Sequence, residues 1–261
     1  PTLEKIHNKY YLRFSFTETV ILSDTPIAEQ IICAVDLGIN TDAVCSIMKA
    51  DGTILARKFI DFTSDKDRMI HAMNRTRRKQ SKYGPKSARG LWAYVKRLNE
   101  DRAKKISAAI IEFASQHSVD AIVMEHLDFK GCKKRGSKAQ RLSMWNHGII
   151  REKVEQKAHL LGIRIATICA WKTSALAFDG SGSVARDDNN HALATFTTGK
   201  QYNCDLSASY NIGARYFIRE LLKSLSATEE SRVKAKVPDV GRRTSCTLST
   251  LRTLVKEISV A

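Results

Sequence analysis

The sequence predicts an α/β fold, a mixed sheet flanked by helices, and three patterns carry that prediction. Apolar strand-like runs stand at 31–39, 43–49 and 54–59, the last two joined by an Asp51-Gly52 hairpin turn. A long helical stretch follows, in which Ile106, Ala109, Ile110 and Phe113 recur at helical spacing as a core-facing stripe. Two more apolar runs, 121–127 and 163–170, are then separated by a helix over about 149–161.

Taken in order, residues 1–30 read as peripheral. The alternation in Lys9-Tyr10-Tyr11-Leu12-Arg13-Phe14-Ser15-Phe16 predicts an edge strand, expected to be the tail of an upstream domain. The core begins at 31 with an antiparallel meander. From Asp65 to about Gln116 the pattern is helical, broken at Tyr83-Gly84-Pro85. Its first half is densely basic: Arg75, Arg77, Arg78, Lys79, Lys82, Lys86 and Arg89 stand there with no acid between Arg75 and Arg97. A second basic segment follows the strand 121–127 and includes Lys133, Lys134 and Arg135. Residues 172–203, rich in Ser, Gly, Asp, Asn and Thr, read as an irregular insertion. Asp205 is expected to cap a helix reaching about Leu222, and 224–261 to form a polar linker and a short amphipathic tail. Hairpin strands, helix, strand, helix, strand and final helix are the order of an RNase H-like fold, with the first strand in the middle of the sheet. The domain reading is therefore 1–30 peripheral, 31–223 the main domain with the insertion inside it, and 224–261 the tail.

Composition points to the partner. The 261 residues carry a net charge of +16, an excess that implies an anionic partner, nucleic acid or an acidic membrane surface. No stretch is long and apolar enough to span a bilayer, and the first residues do not form a signal peptide, so nucleic acid leads. The six cysteines are scattered without a CxxC pair, which suits a reducing cytoplasm and leaves no structural zinc site. Cys33, Cys45 and Cys169 lie in apolar runs and are expected to be buried thiols.

Three carboxylates stand out: Asp36 at the end of the first core strand, Glu125 at the end of 121–127, and Asp205 at the last helix start. A charge interrupting an apolar strand needs a metal or a partner. In the expected topology the three meet. Phosphodiester hydrolysis needs an activated water and a stabilised leaving oxygen, and two divalent ions roughly 3.5–4 Å apart supply both. Mg²⁺, for which Mn²⁺ would substitute, prefers such oxygen ligands. Asp36 would bridge the ions, with Glu125 and Asp205 on either side; no His or Cys cluster calls for zinc. Each also admits a plainer role: Asp36 and Glu125 as strand-end acids, Asp205 as a helix cap. The basic helix would contact phosphates, its plainer role being a solvated face.

At Asp36-Leu37-Gly38-Ile39, Ile122-Val123-Met124-Glu125 and Asp205-Leu206-Ser207-Ala208-Ser209-Tyr210-Asn211-Ile212 the chain resembles a known group. This is the RuvC-like nuclease domain of transposon-encoded TnpB (OrfB-type) proteins and their relatives, the type V CRISPR effector nucleases. Asn74-Arg75-Thr76-Arg77-Arg78-Lys79 and Trp171-Lys172-Thr173-Ser174 fit the same group. The resemblance implies an endonuclease directed by a guide RNA, with target DNA entering the site as a single strand, in a prokaryotic cytoplasm. It places Asp36, Glu125 and Asp205 on the catalytic, metal-holding positions. Nucleic acid would be bound by Arg75, Arg77, Arg78, Lys79, Lys82, Lys133, Lys134 and Arg135. The insertion 172–203 would be a target-binding lobe, a counterpart of the family's zinc ribbon without its cysteines. The family's upstream recognition regions are largely missing, so an upstream region or second subunit is an expected partner. Two alternatives stay open: a non-cleaving RNA-guided DNA-binding protein, and an unguided RNase H-like resolvase or transposase.

Overall fold

The computed structural model describes residues 1–6, 8–126, 145–187, 190–242 and 244–259. A short hairpin, β1 (Thr2–Ile6) and β2 (Lys9–Arg13), stands apart as its own two-stranded sheet; the expected strand ends at Arg13, before Phe16. The main sheet takes β3 (Ile31–Asp36), β4 (Ala43–Lys49) and β5 (Ile54–Ile60) as an antiparallel meander. After the helices α1 (Thr63–Tyr83) and α2 (Arg89–Gln116), the chain returns as β6 (Ala121–His126), parallel to β3 with Ile32 opposite Ala121 and Val35 opposite Met124. The helix α3 (His147–Leu160) then leads to β7 (Arg164–Cys169), parallel to β6. The strand order β5-β4-β3-β6-β7 puts β3 in the centre, the arrangement of an RNase H-like fold.

Side chains of β3 alternate between two cores, as a two-sided central strand requires. Cys33 and Val35 face α2 and α3 with Ile106, Ile110, Ile122 and Val154. Ile32 and Ala34 face the opposite side, under α4 (Cys204–Ser224). At residue 213, a glycine, α4 packs on the sheet with no room for a side chain. A Cβ there would fall 2.9 Å from the Met48 Cε and 3.2 Å from the Ala34 Cβ. The root of the α1–α2 hairpin is fixed by a buried carboxylate: Asp42 pairs with Arg102 and with Lys66 at 3.2 Å, and accepts from the Phe62 amide at 2.9 Å.

Three expectations change. The insertion is not irregular throughout: β8 (Ala185–Arg186), β9 (Leu193–Thr195) and β10 (Gln201–Asn203) form a small antiparallel sheet. Its core is Ala177, Ala194, Phe196 and Cys204, with Phe178 edge-on to Phe196 at 5.6 Å between ring centres. Two- and three-residue strands are too short to leave a period in the sequence. The stretch read as a polar linker holds a helix, α5 (Ala227–Lys236), whose Val233 is buried in the same core as α4; the amphipathic tail is α6 (Leu248–Ser259), with Leu248, Leu251 and Leu254 buried and the helix packed on α4. Finally, Cys169 is exposed, because β7 is an edge strand and only half-buried. The carbonyls of that edge are taken by arginines of α4: Arg219 donates to Thr167 at 2.8 Å and Arg215 to Cys169 at 3.0 Å. Among the described residues no helix is long and apolar enough to cross a membrane.

Because the α4 contact has no room for a branched side chain, Gly213→Val should lower stability by about 1–3 kcal/mol through overpacking. Urea denaturation measures this. An unchanged midpoint would mean that the sheet and α4 yield freely at this point.

Candidate active site

Asp36 and Glu125 stand one residue beyond the paired Val35 and Met124, at the same end of adjacent parallel strands. Counting by twos along each strand, they follow Ala34 and Val123 on the face covered by α4. Asp205 lies in the first turn of that helix. The expected cap is corrected here: Asn203 is the N-cap, its side chain accepting from the Leu206 amide at 2.9 Å. A short Asx side chain two residues earlier satisfies the orphan donor, which leaves the Asp205 carboxylate to turn toward the strands and accept from Thr41. Thr41 is brought there by a tight loop after Asp36, in which a Cβ on Gly38 would fall 2.5 Å from the Thr41 carbonyl oxygen.

The three carboxylates are partly buried and feel one another. Burial pushes the Asp36 carboxyl well above its ordinary range, and the negative charges of Glu125 and Asp205 push it further; Arg186 opposes them. Glu125 is raised by burial, held back by a hydrogen bond from Thr173 and by the charge of Arg215. Burial likewise raises Asp205, against the charge of Arg186 and the bond from Thr41. Among the described residues no three His, Cys, Asp or Glu side chains gather into a single metal-holding group. The donor chemistry is nevertheless that of a hard divalent ion: oxygen atoms only, with excess negative charge.

Several residues that shape this end were not singled out from the sequence as site residues. Arg186 arrives on β8, from the insertion, and also donates to the Ser174 carbonyl at 3.3 Å. Arg215, buried on α4, donates to the carbonyls of Cys169 (3.0 Å), Trp171 (2.7 Å), Thr244 (2.8 Å) and Cys246 (3.1 Å). One turn earlier, Asn211 donates to the carbonyls of Thr173 and Leu176, both at 2.9 Å. Together they fix the loop that presents Thr173 to Glu125. A charge inside the apolar run Ile212–Phe217 was the available signal for Arg215. Nothing local marks Arg186, since its role comes from a strand of two residues.

The basic residues lie elsewhere. Arg75, Arg77, Arg78, Lys79 and Lys82 are exposed on α1, whose other face packs Met69 and Met73 on Trp92 and Val95 of α2. Lys133, Lys134 and Arg135 lie outside the described residues.

Among solved structures, the chain is similar to the Cas12f1–sgRNA–target DNA complex, with a TM-score of 0.53 and 19% identity. That match covers 73% of this chain and 51% of the other. It is also similar to AacC2c1 in a binary complex with sgRNA, with a TM-score of 0.53, 11% identity, and 72% and 39% of the two chains covered. At these identities the likeness is one of fold, and the chain spans about half of those chains or less. At that level it bears out the resemblance carried by the three acidic motifs. No protein-family model matches the chain, and no curated protein matches it.

The raised carboxyls have a consequence for stability. The folded chain holds these protons more tightly than the unfolded chain, so stability is lost as pH rises through the raised values. In metal-free buffer, Asp36→Asn should therefore melt a few degrees higher than wild type near neutral pH. The gap should close as pH falls below the ordinary carboxylate range. A variant that melts at or below wild type at neutral pH would mean that the charge is already compensated.

Proposed function

We propose that this chain is the nuclease domain of a guide-RNA-directed DNA endonuclease. The observation that carries the reading is the convergence of Asp36, Glu125 and Asp205 on one end of the sheet, from three segments far apart in sequence. Like charges held together under partial burial are costly in a structural role and useful in a metal site. Asp36, Glu125 and Asp205 would hold Mg²⁺ or Mn²⁺, which when bound supplies an activated water and a clamp on the scissile phosphate. Thr173 and Thr41 orient two of the carboxylates by donating to them. Arg186, whose charge already offsets Asp36 and Asp205, is placed to stabilise negative charge that develops on a bound phosphate.

The guide and the target are inferred from elsewhere. The similar structures are complexes with sgRNA, one of them with target DNA as well, and the net charge of +16 suits such partners. The exposed cations of α1 would follow a phosphate backbone, giving register without sequence preference. A chain spanning half of those proteins would draw part of its guide and target contacts from an upstream region or a second subunit. Retention of all three acids favours cutting over a non-cleaving binding role.

The test is cleavage of end-labelled single-stranded DNA in Mn²⁺. Wild type should cut and Asp36→Ala should fall to background while still binding the strand. Equal cutting by both would remove the site assignment. A second expectation concerns α1: replacing Arg75, Arg78 and Lys79 with Gln should lower the salt slope of DNA binding. The drop should be roughly 0.7 to 0.9 for each phosphate that is no longer neutralised. An unchanged slope would leave this surface as a solvated face.

A further inference from the structure

The outer strand of the meander carries side chains that packing does not explain. Phe59 pairs with Val44, and Val44 pairs with Asp36, so Phe59 stands in the same cross-strand row as the central carboxylate. Two strand spacings put it about 10 Å away. On β5 the residues Ala56 and Ile60 face the α2 core, while Phe59 turns to the α4 side and is 49% exposed. Arg57 is the next residue on that face. Its guanidinium donates to the hydroxyls of Tyr202 at 3.4 Å and Tyr210 at 3.5 Å, long bonds to neutral groups. Lys200 lies over the rings of Phe178 at 4.7 Å and Tyr202 at 5.3 Å. Neither cation has a carboxylate within ion-pair reach among the described residues, although 27 acids are present in the chain.

An exposed ring on an edge strand is an aggregation liability, and cations held by aromatic neighbours keep their charge available. Both features become useful if an anionic polymer with flat bases crosses this strip. We propose that β5 and β10, with the turn that leads into β10, form a binding subsite for a single-stranded nucleic acid, with Phe59 as a stacking platform and Arg57 and Lys200 as phosphate contacts. Tyr202 positions both cations, as acceptor for one and as ring face for the other. A strand with its scissile phosphate at Asp36 would lay its adjoining nucleotides across this strip, a placement that rests on the nuclease reading above. The chemistry of the strip itself, rings plus uncompensated cations, is that of single-strand binding surfaces.

The test uses two fluorescein-labelled probes of about 20 nucleotides, oligothymidylate and the same backbone with abasic sites. Fluorescence anisotropy at low salt should show wild type binding oligothymidylate more tightly than the abasic probe. Phe59→Ala should cost about tenfold on oligothymidylate and little on the abasic probe, and Phe59→Tyr should restore most of the loss. Arg57→Gln and Lys200→Gln should weaken both probes alike and lower the salt slope by about 0.7 each. Phe59→Ala that keeps the wild-type preference for bases would overturn the proposal, as would wild type that does not bind oligothymidylate. Binding with the expected Phe59 dependence but no cutting in Mn²⁺ would sink the nuclease reading and leave the subsite standing.

Discussion

Three carboxylates that repel one another are kept at one end of the sheet, and much of the surrounding structure serves to hold them there. The backbone supplies the constraint. Asp36 and Glu125 are fixed by the parallel register of β3 and β6, which cannot slip by one residue without turning every buried side chain to the wrong face. Asp205 is fixed by a helix start whose cap belongs to another residue, Asn203. The side chains then moderate the repulsion. Thr173 and Thr41 donate to carboxylates, while Arg186 and Arg215 contribute opposing charge without closing an ion pair on any of the three among the described residues.

That end of the molecule depends on α4. Its first turn brings Asp205, its middle lies against Ala34 and Met48 through Gly213, and its Asn211 and Arg215 hold loops from two distant parts of the chain. The helix interior contains Ser207, Ser209 and Gly213, all poor helix formers. Burial on the sheet, on α6 and on the insertion's aromatic cluster compensates for that low propensity, so α4 is a helix because of its surroundings.

Much of this was legible in the sequence. The meander with its Asp51-Gly52 turn, the break between α1 and α2, and the strands β6 and β7 each left a period or a breaker. The three acids could be named because Asp36 and Glu125 each interrupt or end an apolar run and Asp205 stands at the start of a helical one. What could not be read was whatever depends on contacts across the fold. The strands of the insertion are too short to show a period, and the aromatic residues at its core, Phe196 with Phe178 and Tyr202 packed against it, are spread over 25 residues. The linker looked polar because α5 buries little more than Val233, while the amphipathic tail was visible and only its packing onto α4, as α6, was not. Asn203 and Asp205 are both acceptable caps, and only the path of the chain decides between them.

The arginines of α4 have an effect at some distance from the carboxylates. By occupying the Thr167 and Cys169 carbonyls, Arg219 and Arg215 interrupt the row of acceptors that β7 would otherwise offer to a visiting strand. This protection arrives only when α4 docks. During synthesis β7 emerges before α4, so the sheet passes through an interval with that border uncovered. The hazard of strand-to-strand sticking is thus a matter of timing: it ends when α4 settles on the sheet, and slow docking would prolong it.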